Sequence, residues 1–264
     1  MATVVFLHAH PDDESISTGG SIARLVHEGH RVVLVVATNG DHGEVPEDLA
    51  DGDTLVDIRR RETEQSCAVL GIHRLAWLGY SDSGMTGWEQ NSFPNAFMNA
   101  NLNEAAQRLI AIVDEENADV LVGYDWHGGY GHPDHIMVHK VVHAVAELRP
   151  HVRLLEATMN RDRVRQRMTA AREMGLMSEE DAWDVDGPAD DGNPFGSLES
   201  EISLMVDVRD FALQKRESVK CHASQVTDSS FFLKMPEEGF VDAFGWEWFI
   251  DPQSDAPMRE GFIV

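Results

Sequence analysis

Two clusters of histidine and aspartate in this chain have the residue types and the spacing of a metal site. The first is the segment HAHPDDE at residues 8–14, directly after the apolar run 3–7. His10 and Asp13 are three residues apart, which places both side chains on one side of the first turn of a helix. An imidazole and a carboxylate placed in this way can bind one metal ion together.

The second cluster repeats this arrangement later in the chain. Residues 124–135, YDWHGGYGHPDH, follow the apolar run 119–123 and precede a helical pattern, so His-Pro-Asp recurs at a second strand-to-helix turn. The carboxyl ends of parallel strands meet at one edge of a sheet, and we expect His10, Asp13 and His135 to meet there. Two imidazoles and one carboxylate with an open fourth position are typical of a catalytic rather than a structural zinc.

Several motifs, in order along the chain, resemble the zinc-dependent de-N-acetylases of the LmbE or PIG-L family. HPDDE at 10–14 and GHPDH at 131–135 carry the main resemblance. Two further motifs, RRRE at 59–62 with LG at 70–71 and LGYSDSGM at 78–85, are similar to the branch that contains the mycothiol deacetylase and the mycothiol-conjugate amidase. HASQ at 222–225 is similar to a motif found late in the family's sequences. The resemblance spans residues 3 to about 226.

The resemblance implies catalytic roles for residues beside the ligands. It makes Asp12 the general base that takes a proton from water and returns it to the leaving amine. A helix-capping role for Asp12 is the plainer alternative. It makes His132, as an imidazolium, the group that stabilises the oxyanion, with Asp134 orienting the ring and raising its pKa. Tyr130 matches a tyrosine that polarises the carbonyl, or it packs in the loop.

Substrate recognition is implied for two polar residues in the same way. In the resembling enzymes an arginine and an aspartate at the positions of Arg59 and Asp82 hold sugar hydroxyls, although Arg59 could also be a solvated helix charge. Ser17 stands where the amidase branch tends to carry a lysine, which favours the deacetylase. Two roles stay open for Glu14: it supports the metal ligands, or its negative charge interacts with the positive amino-terminal end of the helix.

Composition limits the partners of this chain. The 264 residues carry 46 acids against 21 bases, a formal charge of -25, which argues against nucleic acid or an anionic membrane surface as partner. No run approaches the roughly 20 apolar residues that span a bilayer. Cys67 and Cys221 are far apart without metal spacing and are expected to be reduced. A cytoplasmic protein is predicted, and a homo-oligomer is left open.

Apolar runs and helical patterns alternate along the chain, which predicts an α/β fold. We expect a Rossmann-like, mostly parallel sheet flanked by helices, with residues 1–264 forming one domain. Strands are predicted at 3–7, 31–37, 74–78, 119–123, 152–159, 202–208 and, as a strand or edge, 240–250; helices at 15–28, 54–70, 102–117, 132–148, 161–174 and 209–223. The acidic segment 176–201 is predicted to be a loop or lid, and 202–264 a smaller C-terminal subregion.

The metal-site pattern predicts a metal-dependent hydrolase, and the resemblance implies that it removes an N-acetyl group from a small molecule containing N-acetylglucosamine. Zinc is the expected cofactor, with iron(II) or another divalent metal as the alternative. An amidase acting on a mycothiol-type thiol conjugate is the second enzymatic hypothesis. A non-catalytic metal- or sugar-binding protein is the third, although binding alone would not require Asp12. Dinucleotide binding is rejected because metal ligands fill the first turn and no Gly-x-Gly-x-x-Gly is present there.

Overall fold

The computed structural model describes residues 1–46, 52–173, 184–227 and 230–264. Eight strands within these residues form one sheet. They are β1 (Thr3–His8), β2 (Arg31–Thr38), β3 (Arg74–Tyr80), β4 (Val120–Tyr124), β5 (Arg153–Thr158), β6 (Leu204–Asp207), β7 (Trp246–Ile250) and β8 (Arg259–Gly261).

The sheet is parallel through its first five strands. Its order is β3-β2-β1-β4-β5-β7-β6-β8, with β7 antiparallel to both of its neighbours and β8 parallel to β6. This arrangement confirms the predicted α/β fold with a mostly parallel sheet. β2 pairs with one side of β1, and β4 pairs with the other side. The strand order therefore reverses between β1 and β4, and ligands of open α/β sheets bind at such a point.

The helices cover the sheet. They are α1 (Gly19–His27), α2 (Leu55–Leu70), α3 (Leu102–Glu116), α4 (Pro133–Leu148), α5 (Arg161–Glu173), α6 (Ala212–Cys221), α7 (Phe231–Lys234) and α8 (Glu237–Phe244). Both α1 and α2 contact α6, while α3 contacts α4. Right-handed crossovers that run in opposite directions from β1 place these two groups of helices on opposite faces. No helix in the described part of the chain is long and apolar enough to cross a membrane.

Buried aliphatic side chains on the central strands form the core. The strand residues 4–7 and 32–36 are fully buried valine, leucine and phenylalanine, as expected for a parallel sheet covered on both faces. Local signals set the ends of the flanking helices. In α2 a capping box joins Thr54 and Asp57 at the start, and Gly71, with a φ of 77°, ends it in the left-handed conformation.

The largest error of the sequence prediction lies near the carboxyl terminus. The predicted strand 240–250 is instead α8 followed, after Gly245, by β7. Phe240 and Phe244 are four residues apart and their rings pack at 4.7 Å, which suits a helix face rather than a strand. The predicted helix 209–223 also begins later, because a 3₁₀ turn over Arg209–Phe211 precedes α6.

The predicted acidic loop is described in part. Residues 176–183 lie outside the described residues, as does Met174, the predicted end of α5. The described part, 184–201, contains turns and a 3₁₀ segment, Glu199–Glu201. Its backbone joins the loop after β4: the Gly196 N–H donates to the Gly129 carbonyl at 2.6 Å, and the Asp190 N–H donates to the Tyr130 carbonyl at 2.9 Å. The acidic segment therefore lies beside the second His-Pro-Asp turn.

Candidate metal centre and active site

The turn after β1 is tightly wound and backbone-strained. Asp12 has a φ of 104°, a conformation that non-glycine residues seldom adopt and that aspartate and asparagine tolerate best. A five-residue π-helical segment, Glu14–Thr18, follows and leads into α1. The predicted helix 15–28 is therefore two pieces. Wide turns of this kind and strained residues concentrate at functional sites.

His10, Asp13 and His135 lie together at the carboxyl edge of the sheet, where β1 and β4 are neighbours. Asp13 Oδ2 is 3.4 Å from His10 Nδ1 and 3.3 Å from His135 Nε2. All three residues are buried. His135 is in the first turn of α4, and the Tyr124 ring stacks on it at 4.5 Å. The meeting of these residues follows from the parallel pairing of their two strands.

The hydrogen bonds of the two imidazoles leave one nitrogen of each ring facing Asp13. His135 Nδ1 lies 3.1 Å from the Gly128 carbonyl, which only accepts, so Nδ1 carries the proton. His135 Nε2 is buried without a hydrogen-bond partner in the described residues. His10 Nε2 is 3.1 Å from an Asp134 oxygen, so it also donates and leaves Nδ1 toward Asp13. A carboxylate and two imidazole nitrogens facing one another suit a divalent cation, which requires both nitrogens to be deprotonated when it binds.

A second set of three ligands shares two of these residues. Ligand atoms of His10, His132 and His135 lie within 4.8 Å of one another. Three imidazoles also make a catalytic zinc site in some proteins. We favour the set completed by Asp13, because its Oδ2 approaches both imidazoles and supplies negative charge. The zinc contents of variants at Asp13 and at His132 therefore distinguish the two sets.

Asp134 and Asp82 support His10 rather than His132. Asp134 Oδ2 accepts from His10 Nε2, and the same carboxylate accepts from the backbone N–H and the hydroxyl of Ser83. Asp82 Oδ1 is 3.4 Å from His10 Nε2. Burial opposes a charge on His10, yet these carboxylates and Asp13 together raise its pKa well above the ordinary value. Without an ion, His10 therefore carries a proton on Nδ1 as well, and a bound cation would displace that proton. In the described residues no hydrogen bond joins the Asp134 carboxylate to the His132 ring, so the orienting contact expected from the resemblance is not made by that carboxylate.

His132 is set up as a neutral donor, not as the imidazolium expected from the resemblance. Its Nδ1 accepts from the Asp134 backbone N–H at 3.1 Å and caps the amino terminus of α4. Since Nδ1 accepts, the proton of the neutral ring is on Nε2. Burial, together with the neighbouring imidazoles of His10 and His135, lowers the pKa of His132 to about 2. A neutral Nε2–H can still donate to an oxyanion.

Asp12 lies beside the ligands with an environment suited to proton transfer. Its carboxylate contacts the Arg59 guanidinium at 3.2 Å. Burial raises the pKa of Asp12 to about 6, against the lowering effect of Arg59. A carboxylate with a pKa near the working pH can both take and return a proton. Asp12 makes no side-chain bond to a free backbone N–H of the following helical segment in the described structure, so the capping alternative has no support.

Arg59 has extensive contacts inside the protein. Its guanidinium donates to the Gly40 carbonyl at 2.9 Å and to the Pro11 carbonyl at 2.6 Å, in addition to Asp12, and the residue is 4 % exposed. These contacts place it among residues that hold the turn after β1. The predicted contact of Arg59 and Asp82 with sugar hydroxyls stays a prediction.

Tyr130 lies against two histidines of the site. Its ring meets His135 edge-on at 4.9 Å and His132 at 6.1 Å. Burial raises the pKa of its hydroxyl, which therefore stays protonated and able to donate. The backbone of Tyr130 is held by Asp190 of the acidic segment, which links that segment to the position of this ring.

The sequence reasoning missed a buried pair that joins α6 to the site. His222 Nε2 is 2.8 Å from Glu14 Oε1, and Ser66 donates to the same oxygen. Burial opposes both charges, but the pairing lowers the pKa of Glu14 to about 2 and raises that of His222. Glu14 Oε2 also accepts from the Asp12 backbone N–H at 3.1 Å. In the sequence, only the motif at 222–225 pointed to His222, and 208 residues separate His222 from Glu14.

The other residues of that motif bind neighbouring segments. Ser224 donates to Glu62 through both its backbone N–H and its hydroxyl, at 2.7 and 2.6 Å. Gln225 exchanges two hydrogen bonds with the backbone of Glu44. The motif at 222–225 thus fastens the end of α6 to α2 and to the loop after β2.

Two adjacent glycines provide a matched test of how His135 is positioned. Gly128 and Gly129 both have positive φ, 65° and 77°. A Cβ on Gly128 would overlap the Cβ and backbone of His135, whereas a Cβ on Gly129 meets nothing within 4 Å. Left-handed backbone costs both alanine variants roughly 1–2 kcal/mol. We expect Gly128→Ala, but not Gly129→Ala, to weaken zinc binding roughly 10- to 100-fold, as loss of a ligand's supporting partner does.

Zinc dissociation constants from competition with a chromophoric chelator would check this prediction. Equal affinities for the two variants would show that the contact of Gly128 with His135 does not position a ligand.

Fold and site together define an α/β protein with a histidine–carboxylate centre at the topological switch point of its sheet. Residues 5–146 match the family model described as PIG-L, GlcNAc-PI de-N-acetylase. The chain belongs to this family, as its motifs predicted. It is 37% identical to a 1D-myo-inositol 2-acetamido-2-deoxy-alpha-D-glucopyranoside deacetylase of Nocardioides sp., over 93% of this chain and 90% of the relative. The corresponding protein of Acidothermus cellulolyticus is 36% identical, over 94% and 88%.

Solved structures show the same fold at lower sequence identity. N,N'-diacetylchitobiose deacetylase from Pyrococcus horikoshii superposes with a TM-score of 0.58 at 22% identity, covering 94% of this chain and 82% of that one. A 4-carboxy-2-hydroxymuconate hydratase from Pseudomonas putida superposes with the same TM-score of 0.58 at 13% identity, covering 96% and 97%. Since a hydratase shares the fold, the fold alone does not determine the chemistry, and the site must carry that argument.

Proposed function

We propose that this protein hydrolyses the acetamide of an N-acetylglucosamine joined to inositol, releasing acetate and a free amine. The observation that carries the proposal is the convergence of His10, Asp13 and His135 in a chain 37% identical, over nearly its whole length, to a deacetylase of that substrate. The acidic composition, with a formal charge of -25, fits a small neutral sugar better than an anionic polymer.

The centre is proposed to hold zinc, with iron(II) as the alternative, through His10, Asp13 and His135. When bound, such an ion lowers the pKa of a water molecule to about 7 and polarises a carbonyl. The donor set supports this assignment because the His135 Nε2 lone pair is buried without a hydrogen-bond partner among the described residues. Nitrogen and oxygen donors do not by themselves select among divalent transition metals.

Asp12 is proposed to accept the proton of the attacking water and to return it to the leaving amine. The turn after β1 holds Asp12 next to the proposed ligand Asp13. Two hydrogen bonds fix the orientation of Asp12: Arg59 donates to its carboxylate, and its backbone N–H donates to the Glu14 carboxylate. His132 donates its Nε2–H, and Tyr130 its hydroxyl, to the carbonyl oxygen as negative charge develops there. Asp134 and Asp82 act through His10, which they keep in one tautomer.

The two other functions considered from the sequence receive no specific support. The curated relatives described above are named deacetylases, and no observation favours cleavage of a thiol conjugate. A purely binding role would not explain the strained backbone of Asp12 or its partly buried carboxylate beside Arg59. The cytoplasmic location predicted from the sequence stays a prediction, and the oligomeric state stays open.

A substrate panel tests the proposed specificity. We expect amine release to be fastest from 1D-myo-inositol 2-acetamido-2-deoxy-α-D-glucopyranoside, slower from N,N'-diacetylchitobiose, and slowest from free N-acetylglucosamine, compared by kcat/KM. Each substrate incubated without enzyme serves as the blank, and the inositol glycoside without its acetyl group serves as the standard for complete amine release. If the chitobiose were preferred, the inositol specificity would be wrong, although de-N-acetylation would stand.

A further inference from the structure

A second cluster of metal-binding side chains lies farther along α4 than the site described above. His139 and His143 are four residues apart on this helix and therefore lie on one face. Glu156 on β5 faces them. None of these three residues takes part in the proposed hydrolysis, and no sequence pattern suggested combining them, since Glu156 belongs to a different element.

The three side chains converge through specific atoms. Glu156 Oε1 is 2.6 Å from His143 Nε2 and 3.1 Å from His139 Nδ1. Single ligand atoms of the three residues lie within 4.8 Å of one another, and the two rings are 4.3 Å apart between centroids. The Tyr124 carbonyl is also close, 3.2 Å from His139 Nδ1. One ion can therefore be reached by all three side chains without a large rearrangement.

Burial and charge favour a cation at this point. Glu156 is 6 % exposed, and the hydrogen bonds and ion pairs of its carboxylate within the described residues go to these two imidazoles, with no lysine or arginine among them. The side chains of His139 and His143 are 21 % and 37 % exposed. The cluster thus has a buried anionic side and an open side through which an ion and a completing water can enter.

We propose that His139, His143 and Glu156 bind a second divalent transition-metal ion of the zinc or cobalt class. Two imidazoles at i and i+4 with a carboxylate from a neighbouring element are a ligand set that these metals use, whereas magnesium and calcium prefer oxygen ligands alone. Tyr124 separates the two centres: its ring stacks on His135, and its carbonyl contacts His139. The competing interpretation is a hydrogen-bonded trio in which two N–H protons occupy the place of the ion.

Counting bound cobalt(II) in the full-length protein tests the second site. Metal-free protein is titrated with cobalt(II), and bound metal is measured by visible absorbance and by elemental analysis after gel filtration. We expect His143→Gln to bind one ion fewer per chain than the unmodified protein. His151→Gln, which alters an exposed histidine just beyond α4, should bind the same number as the unmodified protein. Glu156→Gln, which preserves the shape of the carboxylate, should also lose one ion.

The result is independent of the proposed hydrolysis, because Asp13→Asn should lose a different ion from His143→Gln, and the double variant should lose both. His143→Gln should retain full amide hydrolysis at low metal concentration. If His143→Gln and Glu156→Gln each bind as many ions as the unmodified protein, the second site does not exist and the trio is held by protons alone.

Discussion

Replacing Asp12 by asparagine should lower kcat about 10²- to 10⁴-fold, the usual contribution of a positioned general base. The amide of asparagine cannot take a proton from water near neutral pH, whereas the carboxylate of Asp12, with its pKa raised by burial to about 6, can. Steady-state amine release would measure the loss. Zinc content should be unchanged, because the proposed ligands are other residues.

The asparagine variant is chosen because it keeps the structure of the turn. Asparagine tolerates the positive φ of 104° at this position, and its oxygen can still accept from Arg59. Asp210→Asn, on an exposed aspartate, provides the matched control and should leave kcat unchanged. Full activity of Asp12→Asn with normal zinc content would remove Asp12 from the role of base.

Replacing Asp13 by asparagine should remove zinc and activity together. Asp13 supplies the only charged oxygen of the favoured ligand set, at 3.3–3.4 Å from both imidazoles. We expect Asp13→Asn to contain one zinc ion fewer per chain than the unmodified protein, by elemental analysis, and to show no amine release above the blank. The new amide oxygen can still accept from the His10 backbone N–H, as the Asp13 carboxylate does at 2.8 Å, so the turn should persist.

His132→Gln distinguishes the two sets of ligands. If Asp13 completes the centre, His132→Gln keeps its zinc and loses only turnover. If three imidazoles bind the ion instead, His132→Gln loses zinc and Asp13→Asn retains it. The third ligand would then be His132 and not Asp13.

The meeting of His10, Asp13 and His135 at one edge of the sheet could be predicted because it follows from local patterns. Apolar runs 3–7 and 119–123 are each followed by a turn that contains His-Pro-Asp, and parallel strands bring such turns to one edge. Chain order and spacing were sufficient for His10, Asp13 and His135, since each lies in a turn, or in the first turn of a helix, that directly follows a central strand.

What the sequence could not show depends on the approach of separate loops. The resemblance implied that Asp134 orients His132. In the structure its carboxylate instead accepts hydrogen bonds from His10 and from Ser83, which lies in the loop after β3. The Glu14–His222 pair depends on how α6 packs against the first turn. Arg59 has the pattern of a helix charge, and only the tertiary fold buries it against Pro11 and Gly40.

Metal removal and restoration test the central claim most directly. Protein stripped by a chelator and freed of it is assayed for amine release from 1D-myo-inositol 2-acetamido-2-deoxy-α-D-glucopyranoside, without metal and with a stoichiometric amount of zinc. We predict no release above the blank without metal and full release once zinc is restored, with iron(II) tested in parallel. Undiminished release by the metal-free protein, or none by the protein loaded with either metal, would contradict a metal-dependent de-N-acetylase.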